Sequence, residues 1–356
     1  MSKKLRIGFA GVGGMGQMAH LSNYAVLRDE CEVAALAEPR SNMAQQVASR
    51  YGVPQVFTSH LDMLENTSLD AIIAPQPFRN HPNLIPDILQ AGIPVLTEKP
   101  LCLTVKEGSK MVALGEEHGV LHMIGYHKRS DPAVEYVKQV IKEWKTSGDY
   151  GDLQYIRITM PPGDWVSGAD QPLSSDEPYP ALRMEAGPDG YTDVMTQKLD
   201  EFVNYYIHQV NMFRFLLEEN YKLTFGDRSG IILNGESESG ITITLEMAPY
   251  HTSHEWEETV LIAFRHGYIR IELPAPLARQ RAGRVTIKKD NSAAGEAMTY
   301  EPILPNISAM RCQARNFLAA VRGDRTAPCE AKEALEDLIF AESYIEYMFK
   351  HYPNHR

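Results

Sequence analysis

Over its first 127 residues the chain alternates short, uniformly apolar runs with amphipathic stretches, the pattern of a parallel sheet covered by helices on both faces. Strands are predicted at Leu5 to Ala10, Glu32 to Ala37, Ala71 to Ala74, Pro94 to Thr97 and Leu121 to Gly125, with helices at Asn42 to Tyr51, Pro82 to Ala91 and Val105 to His118. Thr104 with Glu107 three residues on predicts a capping box, in which each satisfies an orphan amide of the other. From about Asp152 the period shortens to strict alternation. Ile156, Ile158 and Met160 oppose Tyr155, Arg157 and Thr159, and Ile241, Ile243, Leu245 and Met247 oppose Thr242, Thr244 and Glu246. Val260 to Phe264 and Ile269 to Leu273 flank His266-Gly267, which predicts a hairpin with a glycine at its turn.

Such strands belong to a sheet with one buried face. Helices are predicted at Val134 to Trp144, Glu201 to Leu217, Arg311 to Val321 and Ala331 to Phe349, and loops or lids at 161–190 and 275–296, which are rich in Pro, Gly, Asp and Ser. The expected fold is therefore α/β: an N-terminal Rossmann domain, residues 1–127, followed by an α+β domain, residues 128–356, built on a large, mainly antiparallel open sheet.

Composition narrows the function. The formal charge of -11 would repel a phosphodiester backbone, and no basic patch offsets it, so nucleic acid is not expected as a partner. The basic start is followed by a short Gly-rich apolar run and then by Arg28, Asp29 and Glu30, unlike a signal peptide, and no run is long enough to span a bilayer. A cytoplasmic location without membrane contact is the expectation. Cys31, Cys102, Cys312 and Cys329 have neither zinc-ligand nor disulfide spacing, so reduced thiols and no metal are expected.

Gly11-Val12-Gly13-Gly14-Met15-Gly16 directly follows the first strand and opens a helix, the context in which G-x-G-x-x-G binds a dinucleotide. Gly11 permits the tight turn, Gly13 lets backbone approach the pyrophosphate, and Gly16 lets helix and strand pack closely. The helix start presents unpaired amides to the phosphates. Glu38, at the end of the second strand, is placed to accept from the ribose hydroxyls, which favours NAD; Arg40 nearby could meet a 2′-phosphate, so NADP is tolerated in this reading. Gly14, Met15, Pro75, His81, Glu98 and Lys99 complete the expected cofactor set.

Glu98-Lys99-Pro100 stands at the carboxyl end of the fourth predicted strand, where doubly wound sheets bind ligands. Together with the glycine motif, Asp70-Ala-Ile-Ile-Ala-Pro followed by His81, the junction Gly125-Tyr-His-Lys-Arg-Ser-Asp-Pro and the segment Gln313-Ala-Arg-Asn-Phe-Leu-Ala-Ala-Val-Arg-Gly-Asp, this makes the chain resemble, nearly end to end, the glucose-fructose oxidoreductase and inositol dehydrogenase family. The resemblance implies that Lys99 hydrogen-bonds the reacting hydroxyl and stabilises its developing alkoxide. It also implies a D-x-x-x-H-x-x-D motif, matched here by Asn204-Tyr-Tyr-Ile-His208-Gln-Val-Asn211: the histidine is kept and both acids are amides. His208 is then suited to take the hydroxyl proton, with Asn204 four residues away on the same helix face. His127, Lys128, Arg129, Trp165 and Tyr191 are the remaining expected substrate contacts, and Arg79 and Tyr206 lesser ones.

The function so implied is NAD-dependent hydride transfer at a secondary hydroxyl of a sugar, sugar derivative or cyclitol, by a homodimer or homotetramer. A second reading is an NAD-recycling glycosidase that oxidises a ring hydroxyl transiently, eliminates the aglycone, adds water and reduces again. The altered motif and the His- and Tyr-rich stretches Tyr191 to His208 and Tyr250 to His254 keep it open. Retention of both Lys99 and His208 weighs against a third, a non-catalytic nucleotide sensor.

Overall fold

A computed structural model of the chain describes residues 4–247, 250–251 and 255–353, so of the stretch Tyr250 to His254 only Tyr250 and His251 fall within the described residues. The chain divides into two compact units. The first comprises Met1–Tyr126, Asp170–Asn204 and Gln313–Ile339; the second comprises His127–Ala169, Tyr205–Cys312 and Phe340–Arg356.

The first unit is built on a six-stranded sheet: β1 (Leu5–Ala10), β2 (Cys31–Ala37), β3 (Gln55–Phe57), β4 (Ala71–Ala74), β5 (Val95–Thr97) and β6 (His122–Ile124), in the order β3-β2-β1-β4-β5-β6. Every pairing is parallel. This is the doubly wound order, whose chain reversal beside β1 leaves a crevice outside the carboxyl ends of the strands. Ile7, Phe9, Leu36 and Ile73 are fully buried and share a core with Phe317 and Leu318 of helix Ala309–Arg322. That packing draws 313–339 into the unit.

Polar anchors help tie segment 170–204 to the same unit. The Gln17 side chain exchanges hydrogen bonds with the backbone of Leu173. Glu185 accepts from the amides of Leu103 and Thr104 and from the Thr104 hydroxyl. Glu185 thereby replaces half of the expected capping box. Thr104 Oγ1 does accept from the Glu107 amide, but the Glu107 carboxylate pairs with Lys110 instead of reaching back.

The second unit carries an eight-stranded sheet: β7 (Leu153–Thr159), β8 (Tyr221–Gly226), β9 (Ile232–Ser237), β10 (Thr242–Glu246), β11 (Thr259–Phe264), β12 (Gly267–Glu272), β13 (Arg284–Lys289) and β14 (Met298–Tyr300), in the order β14-β13-β12-β11-β7-β10-β9-β8. All pairings are antiparallel except that of β7 with β10. β13 lies in the stretch expected to be loop. The β11–β12 turn is Arg265-His266, and Gly267 pairs with Phe264 inside the ladder. Glycine is needed there because a Cβ would lie 2.5 Å from the Lys288 carbonyl and 3.1 Å from the Trp144 ring. Among the described residues no helix is long and apolar enough to cross a membrane.

Candidate active site

Three glycines of the first unit have distinct tasks. Gly11 has φ +106°, and a Cβ on it would lie 2.3 Å from Gln76 Nε2, whose amide donates to the Ala10 carbonyl. At Gly16 a Cβ would meet the Gly11 carbonyl at 3.0 Å and Pro75 at 3.1 Å. These two let the turn close on itself. Gly13 differs, since a Cβ there would come no nearer than 4.0 Å to any neighbour, Arg40 Nη2. Gly13 therefore keeps backbone open towards a cavity of about 310 Å³ that it lines with Gly11, Glu38, Arg40, Pro75 and Tyr179. Gly14 and Met15 form the first turn of the following helix, which continues as a π-helical turn over Gly16–Leu21. Space, curvature and a helix start fit a dinucleotide pyrophosphate.

Glu38 is buried at the end of β2. Its Oε2 accepts from the Val12 amide at 3.2 Å and its Oε1 from Arg40 Nε at 2.6 Å. The Arg40 guanidinium also lies 4.3 Å from the centre of the Tyr179 ring. The hydrogen bond that Arg40 donates to Glu38 is the largest influence raising the Arg40 pKa, so its cation is firmly held. A carboxylate offers about four lone-pair directions, so Glu38 retains acceptor capacity for a ribose hydroxyl.

At the end of β5, Glu98 Oε1 is 2.6 Å from His20 Nε2, which holds the carboxylate in place. Lys99 is half-buried, and its Nζ donates to the backbone carbonyl of Asn204 at 2.5 Å. Asn204 thus meets Lys99 through its backbone carbonyl, and the residue is exposed. His81 is fully buried; its Nδ1 bonds the Leu101 carbonyl at 2.8 Å, and burial chiefly lowers its pKa. It tethers the turn after Lys99-Pro100, within the same unit. Arg79 donates to the Glu185 carbonyl and approaches Asp200 at 3.5 Å, and Tyr191 is half-buried with its amide bonded to the Pro188 carbonyl.

In the second unit, His208 lies on helix Asp193–Leu217, whose residues group with this unit from Tyr205 onward. Its ring packs edge-on against His127, centroids 4.6 Å apart at 81°, and both are buried. Lys128 and Arg129, expected to touch substrate, are engaged inside the unit. Lys128 Nζ reaches both oxygens of Glu258 at 2.6 and 2.5 Å, and that carboxylate also accepts from Gln209 and from the Trp256 indole. Burial lowers the Lys128 pKa while Glu258 opposes the shift. Arg129 Nε donates to Asn211 Oδ1 at 2.5 Å, and its guanidinium lies over Phe215. The second amide of the motif therefore serves Arg129. Trp165 is exposed, and the Tyr206 hydroxyl donates to the Met247 carbonyl.

Sequence reading missed His20, Gln17, Gln76, Glu177, Glu185 and Glu258. Each acts on a partner far along the chain, and none sits in a local motif; the spacing of His20 just beyond the glycine turn was the one usable signal.

The family model described as oxidoreductase family, NAD-binding Rossmann fold, matches residues 5–126. An inositol 2-dehydrogenase of Corynebacterium glutamicum (strain R) is 28% identical over 158 residues, 44% of this chain and 45% of that protein, so the match spans under half of its length. An inositol 2-dehydrogenase of another strain of that species is 24% identical over 291 residues, covering 81% of this chain and 80% of the relative. Among solved structures, levoglucosan dehydrogenase in complex with NADH and levoglucosan superposes with a TM-score of 0.72 at 16% identity, covering 98% of each chain, which establishes a shared fold.

Proposed function

We propose that this chain is a member of the glucose-fructose oxidoreductase and inositol dehydrogenase family and, as such, an NAD-dependent dehydrogenase acting on a secondary hydroxyl of a sugar, sugar derivative or cyclitol. The observation that carries this reading is the first unit's cradle: a turn closed by Gly11 and Gly16 yet left open at Gly13, beside the acidic Glu38. The relatives' names, inositol 2-dehydrogenase among them, support the substrate class.

When bound, the nicotinamide supplies the hydride acceptor. The Gly13 to Gly16 backbone holds the pyrophosphate with its amides, and Glu38 accepts from the adenosine ribose, with NAD favoured over NADP. Lys99 donates to the substrate oxygen and stabilises negative charge on it as its proton leaves. Its ammonium has three donors, and its bond to the Asn204 carbonyl restricts where the others point. His208 accepts the hydroxyl proton, and the His127 ring packed edge-on against it fixes its plane. The side chains of Asn204, Trp165 and Tyr191 contact sugar hydroxyls. Lys128 and Arg129 shape the second unit from within, because Lys128 is already paired with Glu258 and Arg129 already donates to Asn211.

A panel of cyclitols, aldoses, sugar acids and glycosides tests the proposal, scored together for NADH formation and aglycone release. NADH formed in step with a ketone product is expected. Aglycone released at catalytic NAD without NADH would identify the redox-recycling glycosidase instead, and no turnover of any alcohol would refute both.

A further inference from the structure

The helix Ser41–Tyr51, which follows the ribose-binding end of β2, lacks a cap of its own. Its N-cap residue is Arg40, no side chain of the segment caps it, and its first turn holds no acid. The cap comes from far along the chain. Glu177 Oε1 accepts from the Asn42 amide at 3.0 Å and Oε2 from the Met43 amide at 2.9 Å, with the Ser175 hydroxyl 3.1 Å away. The Asn42 hydrogen bond is the largest influence lowering the Glu177 pKa, and the charge of Arg40 lowers it further.

The same segment is anchored on both sides of this contact. Leu173 is bonded to Gln17, and the Gln171 carbonyl accepts from Arg50 at 3.3 Å. Two residues past Glu177, Tyr179 covers Arg40 and lines the cavity next to Glu38.

A Rossmann cleft places the adenosine ribose 2′ position against the acid at the end of the second strand. A phosphate there would look to the nearest cation and to the free amides of the next helix start. Both are already taken in this chain. Arg40 is bonded to Glu38 and covered by Tyr179, and the helix amides carry Glu177. Two carboxylates about one guanidinium also leave this edge of the cleft with a negative excess.

We propose that Glu177 enforces the preference for NAD over NADP by standing, as a built-in anion, where a ribose 2′-phosphate would have to bind. The proposal rests on the reading of this cleft as an NAD site and adds to it a selectivity element outside the glycine motif.

Its test is direct titration of the full chain with NADH and with NADPH at one ionic strength, in the wild type, Glu177→Gln and Glu177→Ala. The wild type is expected to bind NADH more tightly. In Glu177→Ala the ratio of the NADPH to the NADH dissociation constant falls at least tenfold. Glu177→Gln, which keeps an acceptor but loses the charge, lowers the ratio at least threefold and carries the test if the alanine variant does not fold. If Glu177 only anchors its segment, both nucleotides weaken together and the ratio stands still, which overturns the proposal, as does a wild type that prefers NADPH. Failure of the wild type to bind either dinucleotide would instead remove the NAD reading beneath it.

Discussion

Asp131 offers a sharp test of how the second unit is held together. It caps helix Pro132–Ser147, accepting from the Ala133 amide at 2.8 Å, and clamps a distant loop by accepting from the Gly283 amide at 3.0 Å. Burial, the largest cause, pushes its pKa up from 3.8 to about 6, although both amides pull the other way. A folded-state pKa above the unfolded one means that the folded chain binds the extra proton between about pH 4 and 6. Stability from this group is thus full below pH 4 and is lost as pH rises through 6. A gap of roughly 2 units corresponds to about 3 kcal/mol. Asn caps a helix about as well as Asp and has nothing to ionise. Asp131→Asn should therefore gain on the wild type by about 3 kcal/mol between pH 4 and pH 7. Urea unfolding of both proteins at several pH values reads the difference directly, because titration of all other groups cancels. Stability curves that stay parallel across that range would refute the assignment of a buried, costly carboxylate at this position.

Gly13, Gly16 and Lys128 can be tested in the same way. Gly13→Ala should leave the melting temperature close to wild type, since its Cβ meets nothing within 4.0 Å except Arg40 Nη2, yet weaken NADH binding at least tenfold; Gly16→Ala, pressed at 3.0 Å on the Gly11 carbonyl, should lower the melting temperature as well. Thermal melts and NADH titrations of the two variants separate these effects. Lys128→Ala leaves the Glu258 carboxylate buried with neutral donors alone and should cost about 3 to 5 kcal/mol in urea unfolding; a loss below about 1 kcal/mol would mean the pair contributes nothing that neutral donors cannot replace.

Much of this was legible in sequence where one physical signal acts over neighbouring residues. β1 and β4 are uniformly apolar runs and were placed to the residue, as was helix Val105–His118 between its Thr104 cap and Gly119. β3 and helix His60–Asn66 escaped notice because they are short and mostly exposed or half-exposed. β8 alternates poorly, and β9, though buried at every second position, places Gly235 and Ser237 where apolar side chains would be expected. The larger gap lies in contacts between remote residues. Nothing local announces that Glu177 will cap a helix 134 residues earlier, or that Lys128 will be buried against Glu258, 130 residues on. The same irregular stretch read as a possible lid is pinned to the first unit by such contacts. A lysine beside an arginine at a domain junction looks like a substrate clamp until its partner is known.

The proposed chemistry requires Lys99 to act on substrate and not on cofactor. The decisive measurement compares Lys99→Ala with the wild type on the preferred alcohol, recording NADH formation and NADH binding side by side. Loss of turnover by a factor of 100 or more, about 2.7 kcal/mol of transition-state stabilisation, with a dissociation constant for NADH within threefold of wild type, is the predicted result. A variant that turns over at the wild-type rate would contradict it.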